Sequence, residues 1–186
     1  MSSLSLGGYS TSSLVPVTCD KYTLSGAYVQ GGYISKTFTN LPLNHYEIVI
    51  RFNIGYIGSW NASSDEIYLS ADSTITTFNA SCDHSEDLCS GSGTDCIRIR
   101  EAIVEHNASS VTLNFTSSIV ETNPLVQYWG IKDLIVAVRK CHYQCNTCYG
   151  PLSSDCITCE DGYYLHGNKC VKECSGLKVE DKKQCT

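Results

Sequence analysis

From position 45 the chain reads His-Tyr-Glu-Ile-Val-Ile-Arg-Phe-Asn-Ile, placing Tyr46, Ile48, Ile50, Phe52 and Ile54 on one face and Glu47, Arg51 and Asn53 on the other. That period of two predicts a half-buried strand. The same alternation predicts shorter strands at residues 33–39, 66–70, 74–78, 96–100, 110–116 and 132–139, punctuated by Gly31-Gly32, Gly55, Gly58 and Ser90-Gly91-Ser92-Gly93. Only residues 102–106 suggest a helical turn. Seven or eight strands with turn signals between them predict an antiparallel, jelly-roll-like β-sandwich over residues 19–140. Residues 1–18 are rich in Ser, Thr and Gly, with Leu4, Leu6, Leu14, Val15 and Val17 interspersed. They read as a flexible leader or as an extended arm able to add a strand to a neighbouring subunit.

At Cys141 the alternation stops and a cysteine follows every few residues. Cys141, Cys145, Cys148, Cys156, Cys159, Cys170, Cys174 and Cys185 occupy residues 141–186, while Cys19, Cys82, Cys89 and Cys96 are scattered through the sandwich. Each group is even, as expected if each domain closes its own bridges. A segment this short cannot bury an adequate core and is stapled instead. Among the first four, one of Cys82, Cys89 and Cys96 is expected to reach back to Cys19 while the other two pair locally. Twelve cysteines in 186 residues point to an oxidising, extracellular compartment.

The asparagines agree with the cysteines. Asn61, Asn79, Asn107 and Asn114 each begin an Asn-x-Ser/Thr tripeptide, and all four lie in the expected sandwich. Asn114 alternates with Leu113 and Phe115, so it is expected to face solvent. N-linked glycans are therefore expected at the four positions. With a formal charge of −6 the chain offers no basic surface for nucleic acid or an anionic membrane, and no apolar run approaches the ~18 residues of a spanning helix. The first ten residues lack the basic and apolar regions of a signal peptide, which reads as a mature form or a piece of a longer protein.

The tail has the spacing C-x3-C-x2-C-x7-C-x2-C-x10-C-x3-C-x10-C, with Gly150-Pro151 after the third cysteine and Gly162-Tyr163-Tyr164-Leu165 after the fifth. It resembles the furin-like cysteine-rich repeat of growth-factor receptor ectodomains and protist surface proteins. The resemblance implies ladder pairing, Cys141 with Cys148, Cys145 with Cys156, Cys159 with Cys170 and Cys174 with Cys185, in a rod-like spacer without catalysis. Zinc is the competing use of two C-x-x-C pairs, but it needs reduced thiolates and leaves four further cysteines unexplained. In the sandwich, Phe38-Thr39-Asn40-Leu41-Pro42-Leu43-Asn44-His45-Tyr46, Ile57-Gly58-Ser59-Trp60 and the stretch from Trp129-Gly130-Ile131 to Cys141 are similar to a β-sandwich domain of ciliate and other protist surface proteins. That domain commonly precedes furin-like repeats. Here Gly58 stands where an acidic residue often precedes Ser-Trp, and Asn61 where another often follows.

Catalytic patterns are not evident. The five histidines (His45, His84, His106, His142, His166) show no metal-binding spacing and read as surface or turn residues; no G-x-S-x-G occurs. Asp65-Glu66, Glu86-Asp87 and Glu160-Asp161 read as solvated turn carboxylates. A structural calcium held by Asp65, Asp72 or Asp133 is the least remote metal, although no EF-hand run is present, so no cofactor beyond glycans is expected. Trp60 and Trp129 read as buried or half-buried rather than as a sugar platform. Twelve tyrosines on a chain with 17 % charged residues suit broad protein contacts. The expectation is a secreted, non-enzymatic, structural glycoprotein subunit of a filament, surface coat or ciliary appendage, with copies of itself or other extracellular proteins as partners. The alternative is a carbohydrate- or ligand-binding adhesion or receptor ectodomain.

Overall fold

The computed structural model describes residues 8–13, 15–82, 88–89 and 95–185. Among them there is no α-helix; the chain is all-β, with several antiparallel sheets and six disulfides. It divides into two compact units. The first holds Met1–Phe38, Ile50–Ala102 and Ser110–Ile135, and the second Thr39–Val49, Ile103–Ser109 and Val136–Thr186.

In the first part of the chain β1 is Ser10–Thr11, β2 Val17–Cys19, β3 Tyr22–Leu24, β4 Ile34–Phe38, β5 His45–Gly58, β6 Glu66–Ala71, β7 Thr74–Asn79, β8 Cys96–Glu105, β9 Val111–Ser117 and β10 Gln127–Lys140. Five of these form a sheet in the order β1-β4-β9-β6-β7, and three form a second in the order β10-β5-β8. Alternation dictates both. In β9, Val111, Leu113 and Phe115 are buried and Thr112 is exposed, while in β5 Ile48, Ile50, Phe52 and Ile54 are buried and Arg51 is exposed. The inward faces of the two sheets meet in the first unit, where the Phe52 ring stands edge-on to Phe115 at 4.9 Å and to Phe78 at 5.4 Å between centroids.

Residues 102–106 are not helical. Ala102 and Val104 are buried while Ile103 and Glu105 are exposed, so the period stays at two and β8 runs on to Glu105. The described part of the expected arm folds back on its own chain. Ser10 and Thr11 pair with Ser35 and Ile34 at the edge of the five-stranded sheet. Val17–Cys19 closes a hairpin with Tyr22–Leu24 through a turn in which Asp20 has φ of 50°. Leu4, Leu6 and Leu14 lie outside the described residues.

The second unit carries β11 (Cys145–Cys148), β12 (Cys156–Cys159), β13 (Tyr164–His166), β14 (Lys169–Val171), β15 (Lys178–Val179) and β16 (Gln184–Cys185). β11 and β12 form a two-stranded ladder, and the other four a small sheet in the order β14-β13-β16-β15, in which β13 and β16 run parallel. Strands of two to four residues bury little apolar surface, so the core is built from sulfur. Cys141, Cys145, Cys148, Cys156, Cys159 and Cys170 are buried together, with Tyr46, Tyr163 and Leu165 packed against them. The Cys141 N–H donates to the Asn44 carbonyl at 2.9 Å, fixing the start of the tail within this unit.

Candidate functional site

The cysteines pair completely among the described residues. Bridges join Cys19 to Cys89, Cys82 to Cys96, Cys141 to Cys148, Cys145 to Cys156, Cys159 to Cys170 and Cys174 to Cys185, with Cα separations of 5.1–5.9 Å. The four bridges of the second unit span 7–11 residues, whereas Cys19–Cys89 spans 70. Sulfur occupied in bridges is unavailable as zinc ligand or nucleophile.

Cys89 is anchored by a residue that the sequence does not announce. Asp95 is fully buried, and its Oδ2 accepts the N–H groups of Cys89 at 2.7 Å and Leu88 at 3.0 Å while its Oδ1 accepts that of Gly58 at 2.7 Å. A buried carboxylate is tolerable where backbone donors surround it. Nearby, the Tyr128 hydroxyl donates to Cys19 Sγ at 2.9 Å. Burial, and then the negative charge of Asp95, push the Tyr128 phenol up to about 12. Burial also raises the phenols of Tyr28 and Tyr56 above their ordinary range, against the opposing charge of Arg100 beside Tyr56.

The four sequons occupy three kinds of surface. Asn61 is exposed in the turn after β5, where its Oδ1 accepts the Ser63 N–H at 3.0 Å and its own N–H donates to Asp65. Asn79 ends β7 and is exposed. Asn114 lies mid-strand in β9, half-buried and outward, in a register row Ser10–Ser35–Asn114–Ser70–Ile75 that crosses all five strands. Thr37, Thr112, Thr116 and Thr77 flank that row, so this outer face is rich in hydroxyl groups. Asn107 is exposed in the loop between β8 and β9.

Within the second unit Asn107 borders an open cleft of about 380 Å³, lined also by Tyr46, Glu47, Glu105, His106 and Tyr149. Its wall is braced by two histidines. His45 is buried; its Nδ1 donates to the Pro42 carbonyl, which can only accept, so in neutral His45 the Nε2 accepts from His106 Nδ1 at 2.8 Å. His45 is therefore a core residue and not a surface one, and the rings stack at 5.1 Å between centroids. Glu47 is paired with Arg139 at 2.9 Å.

Asp65, Asp72 and Asp133 serve separate partners. Asp65 accepts from Gln127 Nε2 at 2.7 Å, Asp72 from the Thr112 N–H at 2.9 Å, and Asp133 from Asn53 Nδ2 at 2.9 Å. No group of three His, Cys, Asp or Glu side chains able to hold a metal occurs among the described residues. Glu86, Asp87 and His84 lie outside them. Trp129 is fully buried against Tyr28, and half-buried Trp60 donates its indole N–H to the carbonyls of Ile57 and Tyr128, so neither forms an open platform.

Together these features define a disulfide-rich, all-β protein with a stapled module. No family model matches the chain. It is 43 % identical over 47 residues to the mouse extracellular matrix organizing protein FRAS1 and 46 % identical over 44 residues to furin-like protease 2 of Drosophila melanogaster, in each case about a quarter of this chain. It is also 62 % identical over 26 residues, 14 % of the chain, to cysteine repeat modular protein 1 of Tetrahymena thermophila. The matched stretches span only 1–3 % of these relatives. They support a furin-like cysteine-rich module. Dimeric latent PorU from Porphyromonas gingivalis aligns with 75 % of this chain and 14 % of its own, with a TM-score of 0.46 and 14 % identity. No helix among the described residues is long and apolar enough to cross a membrane.

Proposed function

We propose that this chain is a structural glycoprotein subunit of an extracellular assembly, a filament, surface coat or ciliary appendage, with no turnover of its own. The observation that carries the reading is the bridging of all twelve cysteines, which requires an oxidising compartment and makes each unit resistant to unfolding. Partial similarity to proteins named for matrix organisation and cysteine repeats supports the location. The sandwich, in this reading, is of the protist surface type and bears the N-glycans, the furin-like module spaces it, and contacts with copies of itself or other extracellular proteins build the assembly.

Electron microscopy of native, non-reduced material tests the proposal. Ordered polymers with a repeating subunit contact are the expected result. A monodisperse monomer at all concentrations overturns it and favours a carbohydrate- or ligand-binding ectodomain, to be pursued by glycan-array binding.

A further inference from the structure

A sequon opens onto the cleft of the second unit. Asn107 both begins a sequon and lines the cleft, so a glycan on its amide nitrogen starts at the rim of an open space of about 380 Å³. That volume lies within the roughly 300–1,000 Å³ of small-molecule sites. Its lining includes Tyr149 and Ile157, which are 57 % and 51 % exposed although both are large hydrophobic residues. An aromatic ring at that exposure suits the apolar C–H face of a sugar. Tyr149 is held in place, since its hydroxyl accepts from Asn168 Nδ2 at 2.8 Å and donates to the Ser154 carbonyl at 3.2 Å.

The polar lining has the complementary character. Glu105 and Glu47 present carboxylate oxygens, which only accept, and sugar hydroxyls and N-acetyl N–H groups donate. Glu105 has no ion partner among the described residues, whereas Glu47 already holds Arg139. A bound cation is disfavoured because no three ligating side chains converge there among the described residues. Asn79 and Asn114, by contrast, project from the outer face of the five-stranded sheet.

We infer that the cleft of the second unit is the seat of the Asn107 glycan: its N-acetylglucosamine core packs on Tyr149 and Ile157 and hydrogen-bonds to Glu105, clamping the β8–β9 loop to the stapled module. The inference rests on the glycoprotein reading above.

The test is site-resolved release of glycans from the folded, secreted full chain by a peptide:N-glycanase, followed by glycopeptide mass spectrometry, with denatured protein as reference. A core sugar docked about nine-tenths of the time is released about tenfold more slowly than an undocked one. Asn107 is therefore expected to lag Asn61 by about that factor in the native protein and to match it after denaturation. Tyr149→Ala should abolish the lag and Tyr149→Phe, which keeps the ring but loses the two hydroxyl bonds that hold it, should shorten it less, while Glu105→Ala, at an exposed strand position, provides a second variant that should shorten it. Equal native release at Asn107 and Asn61, or a lag unchanged in both Tyr149→Ala and Glu105→Ala, overturns the docking. An empty Asn107 beside occupied sequons elsewhere overturns it alone; four empty sequons overturn the glycoprotein reading with it.

Discussion

The carboxylate of Asp95 accepts the backbone N–H of Gly58 at 2.7 Å with both residues buried, 37 positions apart in sequence. Gly58 has φ of +87°, and a Cβ there would stand 2.0 Å from the Val126 carbonyl oxygen. The end of β5 and the backbone at Leu88 and Cys89 are thus held by one side chain against one backbone position that tolerates no side chain.

Substitutions at these two positions test that hub. Gly58→Ala combines left-handed strain with a backbone clash and should cost about 3 kcal/mol or more. Asp95→Ala removes the acceptor of three backbone N–H groups, of which that of Gly58 is buried, and should cost about 2 kcal/mol, with Asp95→Asn intermediate. Urea denaturation of the oxidised proteins measures both, and a loss below about 1 kcal/mol in Asp95→Ala would show that the hub is dispensable.

The bridges should differ in worth for two separable reasons. Removing Cys19–Cys89, which spans 70 residues, should cost about 4 kcal/mol, and removing Cys174–Cys185, which spans 11, about 3 kcal/mol. Cys145–Cys156 also spans 11 residues, but both of its cysteines are buried in the sulfur core. Its double serine variant should therefore be clearly less stable than that of the half-buried Cys174–Cys185 pair, by proteolysis or by denaturant midpoint. Equal losses would mean that loop closure alone sets the effect.

Alkaline stability should follow Tyr128. Its folded-state value of about 12 lies above the unfolded phenol's value near 10, so the folded state holds this proton more tightly. The contribution is fully present below about pH 10 and is lost as the pH rises towards 12. Tyr28 and Tyr56, also raised, add in the same direction. Denaturant midpoints measured from pH 8 to 12 should fall above about pH 10, and less steeply in Tyr128→Phe. An unchanged slope in that variant would remove Tyr128 from the account.

The aromatic contact between sheets should dominate core energetics in the first unit. Phe52 is buried and touches Phe78 and Phe115 edge-on, so Phe52→Ala should cost about 3–5 kcal/mol and Phe52→Leu markedly less. Thermal or denaturant unfolding of the two variants checks the ordering.

The sequence by itself determined the longer strands between residues 33 and 139, because side-chain direction alternates with a strict period of two and Ile48, Ile50, Phe52 and Ile54 must share a face; the two- to four-residue strands before and after them are too short to show a period. Ala102 and Val104 carried that signal too, but the good helix formers around them masked it until burial was known. Cysteine density likewise announced a stapled module without specifying partners, which need Cα atoms within about 7 Å and hence a fold. Only the tertiary structure decided that Cys19 meets Cys89, that Asp95 is a buried acceptor and not a solvated loop acid, and that His45 is a core residue bonded to His106. It alone brought Asn107 to a cleft shared with Tyr149, 42 residues on. Each of these depends on long-range approach of groups whose local sequence has no period to betray it: a lone Asp, His or Asn reads as polar surface until packing removes water from one side and supplies partners on the other.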